Sequence, residues 1–229
     1  MEPARSAGVT SPASCLICVL AFFIAGGNAL KCFECKDFSG NPCVGQAVLC
    51  QNGSNVCISS LVQYQIDPSL PGAQNLGGVP TSVFMRACGS SDQCSNVITL
   101  RTSYTRMVTS NQCCVSDNCS PPRPPVISEQ SENGLTCMGC FNVASDSCQE
   151  YKSVKCRGSE QQCFTYSNKH LGGADSIAMA GCATQTACGL DLGNDAIKTQ
   201  CYGGCSNNHS SQITSSLSFA AFLVVIYLG

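Results

Sequence analysis

The residues of this chain best suited to chemistry are its cysteines, which number 21 among 229 residues. Cysteines at this density indicate either disulfide cross-linking in an oxidising compartment or metal binding. Zinc sites need repeated sets of Cys and His ligands, and the chain has two histidines, His170 and His209. The composition therefore predicts a disulfide-stapled extracellular protein with no metal and no other cofactor.

The same residues argue against catalysis. A nucleophilic mechanism needs a nucleophile, a base and an orienting group in contact. His170 stands beside Leu171-Gly172-Gly173, a sequence typical of a solvated turn. Cysteines held in disulfides cannot attack a substrate. We therefore expect a binding protein and not an enzyme.

Charge excludes a further class of partner. The chain has 12 Lys and Arg against 14 Asp and Glu, and no basic run. Nucleic-acid binding depends on clustered cations that neutralise phosphates. Nucleic acid is therefore excluded as an expected partner.

The first 29 residues have the layout of a secretory signal peptide. Arg5 precedes an apolar run from Cys15 to Ala25, and Gly27-Asn28-Ala29 places small residues before a cleavage point. We expect residues 1–29 to be removed, so that the mature chain begins at Leu30 and keeps 19 cysteines.

The last residues have the layout of a glycosylphosphatidylinositol (GPI) anchor signal. The apolar tail from Leu217 to Gly229 has 13 residues, whereas a spanning helix needs about 20. A polar spacer and small residues precede it, as an anchor signal requires. We expect residues 207–229 to hold the anchor site, spacer and removed tail. Asn208 is the favoured attachment residue, with Ser206 and Ser210 as alternatives.

Between these ends the chain repeats itself. Residues 30–43 read LKCFECKDFSGNPC, and residues 135–148 read LTCMGCFNVASDSC. Later cysteines follow at nearly equal gaps in both copies, which indicates two tandem domains of one fold. We place domain 1 at 30–120 and domain 2 at 135–206. The Pro-rich segment 121–134 reads as a semi-stiff linker.

β-Formers dominate the secondary-structure pattern. Residues 57–66, 81–85 and 96–109 predict strands in domain 1, and residues 163–166 and 176–179 predict a pair of strands in domain 2. Domains of this size bury little apolar surface on their own, so disulfides at roughly 2–4 kcal/mol each must contribute much of the stability.

The complete cysteine pattern of domain 1, from Leu30-Lys31-Cys32 to the closing Cys113-Cys114 and Cys119, resembles the lymphocyte-antigen-six/urokinase-receptor family. The resemblance covers nearly all of the mature chain and implies two all-β three-finger domains. It also implies a disulfide pairing, which sequence alone cannot supply. The implied pairs are Cys32–Cys57, Cys35–Cys43, Cys50–Cys88, Cys94–Cys113 and Cys114–Cys119 in domain 1, and Cys137–Cys163, Cys140–Cys148 and Cys156–Cys182 in domain 2.

Domain 2 departs from the family pattern. It has nine cysteines, because Gln200-Cys201 stands where the family has Cys-Cys. Cys188, Cys201 and Cys205 must then share one bond. Cys201–Cys205 is the favoured pair, which leaves Cys188 as a free thiol, and Cys188–Cys201 is the alternative.

Two further kinds of site follow. Asn52-Gly53-Ser54 is an N-glycosylation sequon in a loop between cysteines. Leu70, Leu76 and Val79 stand among Pro and Gly at the tip of the longest finger, where they could contact a partner. The alternative is a tip that folds back on its own domain.

The resemblance implies a non-enzymatic, GPI-anchored cell-surface protein that binds an extracellular protein, as urokinase-receptor-like proteins do. One alternative is a secreted inhibitor similar to the gamma-type phospholipase inhibitors of snake serum, which share the two-domain layout. Another is an adhesive or coat protein that associates with itself. If one domain dominates recognition, we expect it to be domain 1, with domain 2 and the linker as a spacer.

Overall fold

The computed structural model describes residues 29–51, 53–71, 81–143, 145–168, 176–188 and 197–202. The expected signal segment, apart from its last residue, and the expected anchor segment lie outside these ranges. Within the described ranges, no helix is long and apolar enough to cross a membrane.

The chain is all-β, which confirms the predicted fold class. Domain 1 contributes six strands: β1 (Lys31–Asp37), β2 (Gln46–Leu49), β3 (Val56–Ile66), β4 (Ser82–Gly89), β5 (Val97–Arg101) and β6 (Thr105–Cys114). Domain 2 contributes five strands and one short helix: β7 (Glu132–Val143), β8 (Lys152–Arg157), β9 (Gln162–Asn168), β10 (Ile177–Ala183), α1 (Gln185–Cys188) and β11 (Ile197–Tyr202).

The two domains form one continuous antiparallel sheet. The strand order is β11-β9-β10-β5-β6-β3-β4-β1-β2, and β7 pairs with β10 and β8. The domains are joined where β10 pairs with β5, through Cys182 opposite Arg101 and Ala183 opposite Leu100. Edge-to-edge pairing of this kind satisfies backbone groups of both domains and removes an exposed edge from each.

β3 is buried on both faces. Successive side chains of a strand point to opposite faces, yet Val56 to Val62 are all buried. One face of β3 turns toward domain 2, and the other lies under the segment that connects the domains. The burial of β3 therefore does not alternate from Val56 to Val62, although Ser59 and Ser60 interrupt its apolar residues.

The connecting segment is bound along domain 1. Ser59 Oγ donates to the carbonyl oxygen of Pro121 at 3.0 Å, and Ser110 Oγ donates to that of Pro125 at 2.8 Å. The Ile127 amide donates to Gln63 Oε1 at 2.8 Å. β7 begins at Glu132, within the range that the sequence assigns to the linker. We call residues 121–129 the strap, because the segment is fastened to the sheet and does not act as a free spacer.

The largest core cluster draws on both domains. Its domain 1 members are buried side chains of four strands: Val62, Tyr64, Val83, Ile98, Leu100 and Met107. Its domain 2 members come from two strands and the short helix: Phe164, Tyr166, Ile177, Met179, Ala183 and Ala187. Burial of apolar area stabilises by about 25 cal/mol per Å². The apolar surface that each small domain cannot cover alone is therefore covered by the other.

Candidate binding site

A groove of about 380 Å³ opens on domain 1. Lys36, Met85, Ser60 and Asn111 form one row across β1, β4, β3 and β6, because the register places each opposite the next. The same face continues along β3 and β4 into the shared core. Domain 2 covers that end and leaves the other end open as the groove.

The floor of the groove is apolar and its sides are polar. Ile58, Met85 and Ala87 line the floor. Ser60 Oγ donates to Asn111 Oδ1 at 2.7 Å, and Asn111 Nδ2 donates to the carbonyl oxygen of Gln93 at 3.0 Å. These bonds fix the polar side before any ligand arrives. A small apolar floor with a few oriented polar groups is typical of a recognition site.

Charged groups stand at the rim of the groove. Partial burial lowers the pKa of the Lys36 ammonium. Arg86 Nη1 donates to the carbonyl oxygen of Cys43 at 3.0 Å, which fixes the side chain against the first finger. Glu34 lies on the same strand as Lys36 and adds an acidic group. The rim can therefore pair with a partner of mixed charge.

A cluster of ion pairs holds domain 2 in place. Arg101 of domain 1 contacts Glu160 of domain 2 at 2.9 Å and Glu129 of the strap at 2.8 Å. Glu129 also contacts Arg106 and Arg157, each at 3.3 Å. Burial lowers the pKa of Arg106, and the charge of Glu129 opposes that effect. One carboxylate of the strap thus joins arginines of both domains.

The eight disulfides that the family resemblance implies are bonded in the structure. Two of them pack side by side in each domain. Cys32 and Cys50 sulfurs lie 3.3 Å apart, as do those of Cys137 and Cys156. These grouped sulfurs belong to disulfides, so they are not thiolates available to a metal ion.

The ninth disulfide corrects a sequence-based expectation. Cys188 bonds to Cys201, with Cα atoms 5.8 Å apart, so Cys188 is not a free thiol and the pair Cys201–Cys205 does not form. The physical reason is strand pairing. Cys201 lies within β11 opposite Phe164 of β9, and Cys188 ends α1 against the same core. Cys205 lies outside the described residues.

The expected partner contacts also change. Leu70 is 6% exposed, so it is not an open anchor for a partner. Its amide donates to the Asp67 carbonyl at 3.0 Å in a tight turn. Leu76, Val79, the sequon Asn52 and the expected anchor residue Asn208 lie outside the described residues.

The residues of the groove were not found by sequence reasoning. Ile58, Ser60, Met85 and Ala87 lie in segments that read as ordinary strands, and nothing in their spacing marks them as the lining of a groove. Ile58 and Ser60 are an even number of residues from Val62, and Met85 and Ala87 are an even number from Val83, so each set shares one face of its strand. This spacing indicates a groove only once it is known how far domain 2 covers that face.

The family model for the u-PAR/Ly-6 domain matches two regions of the chain, residues 28–122 and 133–219. The chain is 33% identical to a phospholipase A2 inhibitor of the gamma type from Gloydius brevicaudus siniticus over 179 residues, covering 76% of this chain and 83% of that protein. It is 30% identical to phospholipase A2 inhibitor NAI of Notechis ater, again covering 76% of this chain and 83% of the relative.

The crystal structure of mouse TEX101 is similar at 18% identity and a TM-score of 0.30, covering 74% of this chain and 94% of that one. The family match rests on the two model regions, which together span most of the chain, and on the phospholipase A2 inhibitors. The chain therefore belongs to the u-PAR/Ly-6 domain family and consists of two tandem three-finger domains.

Proposed function

We propose that this chain is a non-catalytic binding protein that recognises an extracellular protein through the domain 1 groove. The observation that carries the proposal is the apolar floor of the groove, where Ile58 is buried and Met85 and Ala87 are partly exposed, on a face that domain 2 otherwise covers. Interface energy concentrates in a few apolar anchors that enter such depressions within a polar rim. The disulfides Cys35–Cys43 and Cys50–Cys88 each contribute a cysteine to the lining and hold the groove rigid, which lowers the entropic cost of binding.

A charged side chain in the floor tests this proposal. Ala87→Arg places a guanidinium at the partly exposed centre of the groove, so partner binding should fall by about tenfold or more. Ala47→Arg makes the same exchange at an exposed position of edge strand β2 and should leave binding intact. Proximity labelling on expressing cells would compare the neighbours of both variants with those of the wild type. Identical labelling by the wild type and Ala87→Arg would contradict the proposal.

We also propose attachment to the outer leaflet through a GPI lipid at Asn208. The small residues, polar spacer and 13-residue apolar tail support it. Treating expressing cells with a phosphatidylinositol-specific phospholipase should release the protein into the medium. Surface protein that resists the enzyme, together with spontaneous secretion from untreated cells, would rule out the anchor.

A second candidate partner is a secreted phospholipase A2. Two relatives that cover three quarters of this chain, at 33% and 30% identity, carry the name phospholipase A2 inhibitor. The purified protein would be titrated into secreted phospholipases A2 during hydrolysis of mixed micelles. Inhibition by the wild type and by Ala47→Arg, with loss in Ala87→Arg, would identify this enzyme class as the partner. Unchanged hydrolysis would leave the groove to a different extracellular protein.

A further inference from the structure

A second cavity lies between the two domains, away from the domain 1 groove. It has a volume of about 310 Å³, within the range of small-ligand sites. Leu70, Ser103 and Tyr104 form the wall that belongs to domain 1, and Phe141, Glu150 and Lys152 stand on the domain 2 side. We call it the interdomain pocket. A site built from both domains exists as long as the domains are held together.

A polar contact already joins the two walls of the interdomain pocket. Lys152 Nζ donates to the Tyr104 hydroxyl at 2.6 Å and lies 4.5 Å from the centre of the Tyr104 ring. The hydrogen bond raises the pKa of Lys152, so the ammonium stays charged at neutral pH. Because the Tyr104 oxygen accepts this bond, its own proton is directed elsewhere. The pair therefore presents hydrogen-bond donors at a fixed position.

Ser103 supplies the observation that most directly indicates a ligand. Its Oγ is buried and has no hydrogen-bond partner among the described residues. A buried hydroxyl without a partner destabilises a protein, because it has lost its hydrogen bonds to water without replacing them. Ser103 follows the buried Thr102 in the turn between β5 and β6. A ligand in the cavity that forms a hydrogen bond with the Ser103 hydroxyl would supply the missing partner.

The charges that line the interdomain pocket do not favour an ionic ligand of either sign. Among the lining residues that the structure describes, Glu150 and Lys152 carry charge, one of each sign. A site for phosphate, sulfate or a carboxylate would gather cations, and a site for an ammonium group would gather acids. This pocket instead offers donors from Ser103, Tyr104 and Lys152 and an acceptor at Glu150. Such a set suits groups that both donate and accept.

Phe141 provides the remaining element. Its ring is partly buried against the shared core and forms an apolar wall beside these polar groups. A pyranose ring has hydroxyls that each donate and accept, and a face of C–H groups that packs on an aromatic ring. From this combination we propose that the interdomain pocket binds a neutral pyranose unit of a saccharide. The Ser103 hydroxyl would bond a sugar hydroxyl, and the Phe141 ring would contact the apolar face.

Calorimetry on the intact protein tests this proposal, in a detergent that has no sugar headgroup. The neutral probes are methyl β-galactoside, methyl α-mannoside and N-acetylglucosamine, and the charged comparators are sodium sulfate and choline. We expect at least one neutral sugar to bind and both comparators to be inert. A comparison of ribonuclease B with its unglycosylated form, ribonuclease A, would then show whether the pocket also binds the sugar when it is attached to a protein.

Two substitutions separate a sugar site from a structural role. Ser103→Ala removes the hydroxyl and should weaken sugar binding about threefold to tenfold, the usual effect of one neutral hydrogen bond. Phe141→Leu removes the ring but keeps apolar volume at a position that packs on the core. The matched control Ser153→Ala changes an exposed serine of β8.

Thermal unfolding gives an independent readout. The sugar that binds should raise the melting temperature of the wild type and of Ser153→Ala, and should raise it less in Ser103→Ala and Phe141→Leu. Binding unaffected by both pocket variants would overturn the proposal. So would binding of a charged comparator alone, or no binding of any neutral sugar. Partner binding at the domain 1 groove is measured separately and does not enter this test.

Discussion

At the scale of single residues, the cysteines of domain 2 differ most from their family. The nine disulfides among the described residues use 18 of the 19 cysteines that follow the expected signal segment. Cys205 is the one left after that pairing. Gln200 stands where the family pattern has a cysteine. Domain 2 therefore keeps the disulfide that joins α1 to β11, and Cys201 is not available for the family's C-terminal disulfide.

We predict one reactive thiol per mature chain, at Cys205. Thiol titration of the denatured, unreduced protein should give one equivalent, and Cys205→Ser should give none. Cys188→Ser breaks a bond that closes a 13-residue separation, so it should destabilise the fold by about 2–4 kcal/mol. A count unchanged by Cys205→Ser would contradict the assignment. Mass spectrometry of the intact protein would detect Cys205 blocked by an external thiol.

Glu160 is the second residue whose role is specific. Its side chain is 3% exposed and receives Arg101 Nε at both oxygens and the Arg157 amide. We predict that Glu160→Gln lowers the free energy of unfolding by about 3 kcal/mol, because it leaves the largely buried Arg101, at 15% exposed, with a weakened partner. Denaturant titration with the disulfides intact would measure the change.

Glu132→Gln is the matched control for Glu160→Gln. Glu132 pairs with Lys155 at 3.0 Å, but their side chains are 46% and 69% exposed. Exposed ion pairs contribute about 0–1 kcal/mol. Equal effects of the two substitutions would show that the buried cluster does not hold the domains together.

At the scale of elements, β10 is the strand that joins the domains. Its residues Ile177 to Ala180 pair with β7, and Cys182 and Ala183 pair with β5 of domain 1. Gly181 stands at the change of partner. A Cβ atom at this position would collide with the Arg101 carbonyl oxygen, a backbone atom that cannot move aside alone. Glycine is therefore required where β10 leaves its own domain.

We predict that Gly181→Ala destabilises the protein by about 1–3 kcal/mol, because the added methyl group forces β5 and β10 apart. Amide hydrogen exchange should show the loss of protection concentrated at Leu100, Arg101, Cys182 and Ala183. Ala47→Ser adds a single atom at an exposed position of β2 and should have little effect. Unchanged exchange across the β5–β10 pairing in Gly181→Ala would contradict this role.

The strap is the other element that connects the domains. Polyproline segments stay extended without internal hydrogen bonds, so their carbonyls are free to accept bonds from elsewhere. Serines on one face of β3 and β6 supply those bonds at Pro121 and Pro125. Glu129 then ends the strap within the arginine cluster. The Pro-rich composition of this segment predicts a spacer, but in the structure the segment is bound along one face of β3 and β6.

At the scale of the whole molecule, the shared core makes the two domains interdependent. Phe164, Tyr166 and Ile177 of domain 2 are at most 2% exposed, and they pack against side chains of domain 1. Separation would expose these aromatic and aliphatic groups to water. We therefore interpret the two three-finger domains as one cooperative unit rather than as independent modules.

We predict a single thermal unfolding transition whose calorimetric and van't Hoff enthalpies agree. Glu160→Gln and Gly181→Ala should shift that transition as a whole to lower temperature. Differential scanning calorimetry of the intact protein would measure it. Two separate transitions in the wild type, or a transition that splits in two in either variant, would show that the domains unfold independently.

The sequence by itself determined the all-β class, the two-domain repeat and the family, because cysteine spacing is local in the chain and specific in number. Strands such as β3 and β9 were also predictable from their β-formers. The tertiary structure decided which cysteine pairs with Cys201, because that choice depends on where β11 docks. It buried Leu70, turned the linker into a strap, and left Met85 and Ala87 partly exposed above the buried Ile58. Each of these depends on how one domain covers the other, and long-range packing of that kind leaves no periodic mark in the sequence.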